Sequence, residues 1–240
     1  LCAVHRERRG TRLFAGLVGG MLTEESMQSS VNAVGELARC ARADGAQEIF
    51  VFATSAVRDA VNGSEFTARC ETVCGAKVEI VSGEEEAVLS YLGASDGGKC
   101  GMIDIGGGST EFTLGDDARI IGAVSLQMGA VRMNAQRPIL RLDDYAATVE
   151  QCRRLIQRDA QGLLTVGMKP DWVGVGGTMT TLGAMQVEQV NTAILPGIDL
   201  PTAAAAQALT ANEEALQGGT RGKAERTAFT QAALAALGAE

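Results

Sequence analysis

The chain of 240 residues contains a single histidine, and that scarcity removes several chemistries at once. His5 lies in a charge-flanked stretch that reads as a strand and is a poor catalytic candidate. Ser-His-Asp and Cys-His mechanisms are therefore disfavoured, and a zinc site would have few nitrogen ligands to draw on. The six cysteines (Cys2, Cys40, Cys70, Cys74, Cys100, Cys152) form no Cys-x-x-Cys pair. Cys70 and Cys74 read as reduced packing residues on a helix rather than as metal ligands. No apolar run reaches the roughly 18 residues that span a bilayer. No signal-peptide pattern is present either, so the expected location is the cytoplasm, with no membrane partner. Positive charge is also scarce: the net charge is −8, and no basic block is longer than residues 6–9. Binding of a nucleic-acid polymer is not expected of such a surface. A polyanionic substrate would need a local basic cleft or bound metal ions. Carboxylates, metal and backbone amides are what remain for chemistry.

The hydrophobic share of 46% is enough for a proper core in one large domain or two small ones. The stretch on which the rest turns is Gly101-Met102-Ile103-Asp104-Ile105-Gly106-Gly107-Gly108-Ser109-Thr110-Glu111-Phe112-Thr113-Leu114. It reads as strand, tight turn, strand, with Asp104 near the end of the first strand. Consecutive glycines leave backbone N–H groups unshielded by any Cβ, so an anion can approach the main chain. Asp104 repels a phosphate unless a cation sits between them, so the natural pairing is amides for phosphate and Asp104 for hydrated Mg²⁺. A glycine-rich hairpin with a solvated aspartate is the plain alternative.

Around that stretch the pattern predicts an α/β chain. A strand over Leu1–Leu13 is followed by a helix that opens at Thr23 as N-cap and stops at Gly45. Gln47–Ala53 reads as a short strand buried on both faces of a parallel sheet. Residues 54–60 form a strand-to-helix junction carrying Arg58. A helix over Ser64–Cys74, a strand over Ala76–Val81 and a helix over Gly83–Ala94 complete a β-α-β-α-β-α series. Gly97-Gly98 reads as a linker. Strands Lys99–Ile105, Ser109–Leu114 and Arg119–Gln127 follow as an antiparallel meander, then a helix near Gly129–Gln136 and a long amphipathic helix from Asp143 to about Gln161. Asp171–Val175 is a strand whose turn, Gly176-Gly177-Thr178, leads into a helix through Met185, a second geometry suited to phosphate. The Ala-rich tail reads as helices over Thr202–Gln217 and Lys223–Leu237. Glu84, Glu85 and Glu86 open the helix after Ser82-Gly83. Spaced about 100° apart around its axis, at most one or two of them can face a common point. An acidic first turn favoured by the helix N-terminus is the plain alternative.

Four segments together are more specific than any one: residues 53–60 (Ala-Thr-Ser-Ala-Val-Arg-Asp-Ala), 82–87 (Ser-Gly-Glu-Glu-Glu-Ala), 103–111 (Ile-Asp-Ile-Gly-Gly-Gly-Ser-Thr-Glu) and 176–178 (Gly-Gly-Thr). In this order and spacing they resemble the exopolyphosphatase/guanosine pentaphosphate phosphohydrolase (Ppx/GppA) family of the actin/sugar-kinase superfamily, over roughly Leu1 to Met185. The resemblance implies two ribonuclease-H-like (actin-like ATPase) domains flanking a cleft, residues 1–97 with the Glu84–Glu86 helix and residues 98–240. It implies hydrolysis of a terminal phosphoanhydride in inorganic polyphosphate or in guanosine pentaphosphate (pppGpp), with Mg²⁺. By match to the motifs, Glu86 activates the attacking water, and Asp104 and Glu111 are the metal- and water-organising carboxylates. Gly106, Gly107, Gly108 and Ser109 form the phosphate loop, Gly176, Gly177 and Thr178 the second phosphate turn, and Arg58 a further phosphate contact. A homodimer is implied by resemblance alone. The family's first N-terminal strand and loop, of the form Asp-x-Gly-Ser-Asn-Ser, are absent from this sequence. So are the later Gly-x-x-x-x-Arg-Ala-Asp and Arg-Glu-Gly segments, of which residues 196–199 are a candidate remnant. Two other classes follow from the same residues: a regulator that binds polyphosphate or a nucleotide without turnover, and an ATP-dependent kinase. The Glu84–Glu86 helix speaks against the kinase.

Overall fold

The structure is a computed structural model that describes residues 5–167 and 170–179. It has an α/β fold and divides into two compact units, Leu1–Ser82 and Gly83–Glu240.

In the first unit, residues 5–12 have no regular structure, where a strand was expected. The segment finds no ladder partner among the described residues and is tied by side chains instead, Arg9 to Glu36 and His5 to Asp44. A 3-10 turn (Leu13–Gly16) leads into a two-residue hairpin, β1 (Leu17–Val18) and β2 (Met21–Leu22). Helix α1 (Glu24–Ala43) opens on Thr23, whose hydroxyl accepts the Ser26 N–H at 3.4 Å. Its buried Met27, Val31 and Ala38 keep the helical spacing, and the chain leaves the helix through Gly45 at φ +92°. Strand β3 (Val51–Ala53) pairs in parallel with β4 (Val78–Ile80), joined by the single-turn α2 (Ser55–Arg58) and by α3 (Gly63–Cys74).

The parallel pairing was expected, but burial on both faces was not borne out, since Phe50 is 75% and Phe52 49% exposed. With β4 as its only strand neighbour among the described residues, β3 covers one side alone. The core gathers Leu22, Met27, Val31, Val57, Phe66, Cys70 and Val78. Cys70 and Cys74 are free and buried, and burial pushes the Cys70 thiol up to about 11, as packing residues would behave.

The second unit begins with α4 (Gly83–Ala94), bounded as its sequence suggests. The division falls before Gly97-Gly98, so the glutamate helix goes with this unit rather than with the first. The glycine pair is a bend at positive φ, with the Gly98 N–H donating to the Asp117 carboxylate at 2.7 Å. Strands β5 (Lys99–Ile105), β6 (Thr110–Asp116) and β7 (Arg119–Leu126) form the antiparallel meander. Strand β8 (Asp171–Val175) adds in parallel beside β5, in the order β7-β6-β5-β8. Between β7 and β8 run α5 (Ala130–Gln136), α6 (Leu142–Asp159) and α7 (Gln161–Leu164).

Alternation along the strands sends Ile103, Ile105, Phe112 and Leu126 into a core with Cys152 and Ile156 of α6. Burial of each such side chain stabilises by about 1.5–3 kcal/mol. The other parity carries Cys100 and Met102, which pack with Tyr91 of α4. Residues 176–179 turn helical directly after β8. The expected continuation through Met185, residues 196–199, and the tail helices Thr202–Gln217 and Lys223–Leu237 lie outside the described residues. Among the described residues, no helix is long and apolar enough to cross a membrane.

Candidate active site

Registers across the second unit's sheet put Ser125, Glu111, Asp104 and Val175 in one row, on β7, β6, β5 and β8 in turn. Cross-strand partners share a face of the sheet. On the same face Thr113, two pairs along, donates its hydroxyl to the Ala87 carbonyl of α4 at 3.1 Å. That bond fixes α4 over the row. Ser90 of α4 then donates to Asp104 Oδ2 at 2.9 Å, and Ser125 donates to Glu111 Oε1 at 2.7 Å. The Ser109 hydroxyl is a second donor to Glu111.

Glu111 is 1% exposed, and burial pushes its carboxyl up to about 7. The Ser125 and Ser109 hydroxyls oppose that rise, while the charges of Glu86 and Asp104 add to it. Burial also raises Asp104, against the pull of Ser90. Glu86 is half-buried in the first turn of α4, whereas Glu84 and Glu85 are exposed. Of the three it is the charge of Glu86 that acts on Glu111, within the one or two that the helical spacing allows.

Among the described residues no basic group contributes to the shift of Asp104 or Glu111. A buried Glu111 beside a half-buried Asp104 is costly to ionise without a cationic side chain, and a hard divalent cation is the chemical complement of such an oxygen donor set. Among the described residues no group of three or more His, Cys, Asp or Glu could hold an ion. Mg²⁺ fits a set of this size, because it keeps several waters and takes one or two carboxylates together with substrate phosphates.

The glycine turn is held from one side. The Ala130 N–H donates to the Gly106 carbonyl at 2.9 Å, and the Val131 and Arg132 N–H groups donate to the Gly107 carbonyl at 2.9 and 3.0 Å. Arg132 Nε donates to the Gly108 carbonyl. Among the described residues no peptide is cis, and in a trans peptide C=O and N–H point in opposite directions. With the Gly106, Gly107 and Gly108 carbonyls all turned to α5, the N–H groups of Gly107, Gly108 and Ser109 are turned away from it. Three consecutive amides aimed together form an anion-binding concavity. Gly129 makes the approach feasible: a Cβ there would lie 2.4 Å from the backbone of Gly107 and Gly108.

The second glycine turn adjoins Asp104. Gly176 sits at φ +88°, and a Cβ on it would stand 2.5 Å from Asp104 Oδ1, so the position demands glycine twice over. Thr178, 3% exposed, donates its hydroxyl to the Ile105 carbonyl at 2.8 Å and stitches the turn to the end of β5. Asp104, Glu111, Glu86, the loop Gly106–Ser109 and the turn Gly176–Thr178 therefore all belong to the second unit. Arg58 belongs to the first, where its Nη1 donates to the Val81 carbonyl at 2.6 Å.

Sequence reasoning missed Ser90, Ser125, Gly129 and Arg132. Ser90 could have been found by its position one helical turn after Glu86, and Ser125 by pairing the meander strands. Gly129 and Arg132 carried no signal until the turn they hold was seen.

The model of the Ppx/GppA phosphatase family matches residues 1–212. The chain is 34% identical over 218 residues to exopolyphosphatase 2 of Mycobacterium tuberculosis, covering 82% of this chain and 68% of that protein. It is 30% identical over 191 residues to the guanosine-5'-triphosphate,3'-diphosphate pyrophosphatase of Photobacterium profundum, covering 76% of this chain and 38% of that one. Among solved structures, it superposes on an exopolyphosphatase from Cytophaga hutchinsonii with a TM-score of 0.75 at 19% identity, over 91% of this chain and 76% of the other.

Proposed function

This chain belongs to the Ppx/GppA phosphatase family, and we propose that it releases orthophosphate from the ends of inorganic polyphosphate with Glu86 activating the attacking water. The observation that carries the reading is the row Ser125–Glu111–Asp104, which sets the buried Glu111 and the half-buried Asp104 on the face covered by the helix of Glu86. In this reading Asp104 and Glu111 would hold Mg²⁺, which when bound supplies the positive charge that lets a phosphoryl group approach them.

The chain's own groups do the rest. The Gly107, Gly108 and Ser109 amides, with the turn at Gly176, Gly177 and Thr178, hold the oxygens of the terminal phosphate. Arg58 is taken as a further phosphate contact on the family pattern alone. Glu86 accepts a proton as the water oxygen bonds to the terminal phosphorus. The bridging P–O bond breaks, and its electron pair leaves with the shortened chain. Phosphoanhydride cleavage asks for positioning and charge stabilisation more than for covalent help, which suits a site whose Ser109 and Thr178 hydroxyls are engaged with Glu111 and the Ile105 carbonyl. The finer architecture belongs to the same proposal: each unit is one of the two ribonuclease-H-like domains of the actin-like ATPase type, and the protein works in the cytoplasm.

The similarity to a guanosine-5'-triphosphate,3'-diphosphate pyrophosphatase favours a second reading, removal of the 5′-terminal phosphate of pppGpp. Orthophosphate release from polyphosphate, pppGpp and ATP, measured side by side with Mg²⁺ present, tests both. Polyphosphate is expected to be the fastest. Faster release from pppGpp would transfer the assignment to that nucleotide, and binding of either without release would reduce the protein to a regulator.

A further inference from the structure

We infer that Arg132 is a positioning residue that decides which way the last peptide of the phosphate loop faces, an inference that rests on reading Gly106–Ser109 as that loop. A run of three glycines is the segment of a chain least able to keep its peptide planes oriented, because each glycine adopts both signs of φ at little cost. Here the planes are held by their carbonyls. The Gly106 and Gly107 carbonyls are fixed by backbone N–H groups of Ala130, Val131 and Arg132. No substitution short of proline removes such donors. The Gly108 carbonyl is held by a side chain, the half-buried Arg132 guanidinium.

The Gly108–Ser109 peptide is thus the one whose orientation depends on residue identity. If it turned over, the Gly108 carbonyl would face the anion and the Ser109 N–H would leave it, exchanging a donor for an acceptor. The Ser109 hydroxyl cannot take its place, since it is committed to Glu111. Arg132 therefore acts on phosphate through the loop rather than by contact. Its planar guanidinium holds one direction better than the flexible ammonium of a lysine would.

The test uses Arg132→Met, which keeps the apolar stem and removes the donor, and Arg132→Lys, which keeps the charge. Binding of inorganic phosphate is measured by calorimetry well below the melting temperature, and kcat and KM are measured on polyphosphate. Losing a hydrogen bond from a charged donor is expected to weaken phosphate binding about 10- to 100-fold in Arg132→Met, with kcat/KM falling in parallel. A smaller loss is expected in Arg132→Lys, with unchanged melting in the absence of phosphate. A folded Arg132→Met with wild-type phosphate affinity would overturn the inference. If Arg132→Met does not fold, wild-type affinity in Arg132→Lys overturns it equally, and a measurable loss supports it. Phosphate binding needs no turnover, so the two readings fail separately. Wild-type protein that binds phosphate but releases none from polyphosphate contradicts the proposed reaction alone, whereas normal turnover in Arg132→Met contradicts the positioning role alone.

Discussion

The two units bury different kinds of residue. Among the described residues of Leu1–Ser82 the buried set is apolar apart from Ser30 and Ser55, and polar side chains act at the surface or as ties, as Arg69 does with Glu24 and Glu65. In the second unit the central strand β6 buries Thr110, Glu111 and Thr113, with Ser109 in the turn before it and Thr178 beside them. An apolar residue in place of Glu111 would pack without the desolvation cost of a carboxylate, so its presence on a central strand marks a site rather than a core. The first unit's proposed contribution to chemistry is Arg58, whose guanidinium also holds the Val81 carbonyl.

Substitutions that remove chemistry from one unit and packing from the other should sharpen this contrast. The largest effect is expected from Glu86→Gln, which should lower phosphate release by about 10²- to 10⁴-fold with an unchanged circular dichroism spectrum. Near-normal turnover in that variant would take the base away from α4.

Glu111 comes next, through pH. Its carboxyl is raised in the folded protein from the ordinary 4.5 to about 7. The stability linked to it is therefore fully present below the ordinary value and is lost as pH rises through about 7. Melting of the cation-free protein should fall between about pH 5 and pH 8, by on the order of 3 kcal/mol at most. Glu111→Gln should flatten that profile, and an equally steep decline in the variant would assign it to other groups. Gly129→Ala drives a Cβ into the Gly107 and Gly108 backbone, and is expected to cost about 1–3 kcal/mol and to lower phosphate affinity.

The smallest effect should come from the first unit. Asn62 bonds both the N–H and the carbonyl of Leu22, at 2.9 and 3.0 Å. Asn62→Ala should cost about 1–2 kcal/mol of stability, read by denaturant unfolding, while leaving kcat at low temperature unchanged. A selective loss of kcat there would break the contrast between the units.

Much of this was legible in the sequence where local pattern and tertiary structure agree. The bounds of α4, the meander of β5 to β7 and the extent of β8 follow from periodicity and glycine punctuation. Of the strand expected over Leu1–Leu13, residues 1–4 lie outside the described residues, and residues 5–12 are not extended into a ladder because alternation creates a strand only where a partner exists, and they have none among the described residues. The exposed Phe50 and Phe52 fail for a related reason, since apolar content alone cannot say how many faces of a sheet are covered. In the site, the carboxylates and glycines were visible because each is an unusual choice within a strand or turn. The hydroxyls of Ser90 and Ser125 were not, because a serine becomes informative only once registers place it against a buried charge. Arg132 lay further out of reach, since its role depends on a carbonyl direction that no side-chain pattern records.

The most direct measurement is orthophosphate release from polyphosphate by the purified protein before and after its divalent cations are stripped with a chelator. Turnover should stop on stripping and return when Mg²⁺ is restored. Undiminished release from cation-free protein would contradict a site in which Asp104 and Glu111 hold the charge that binds the substrate.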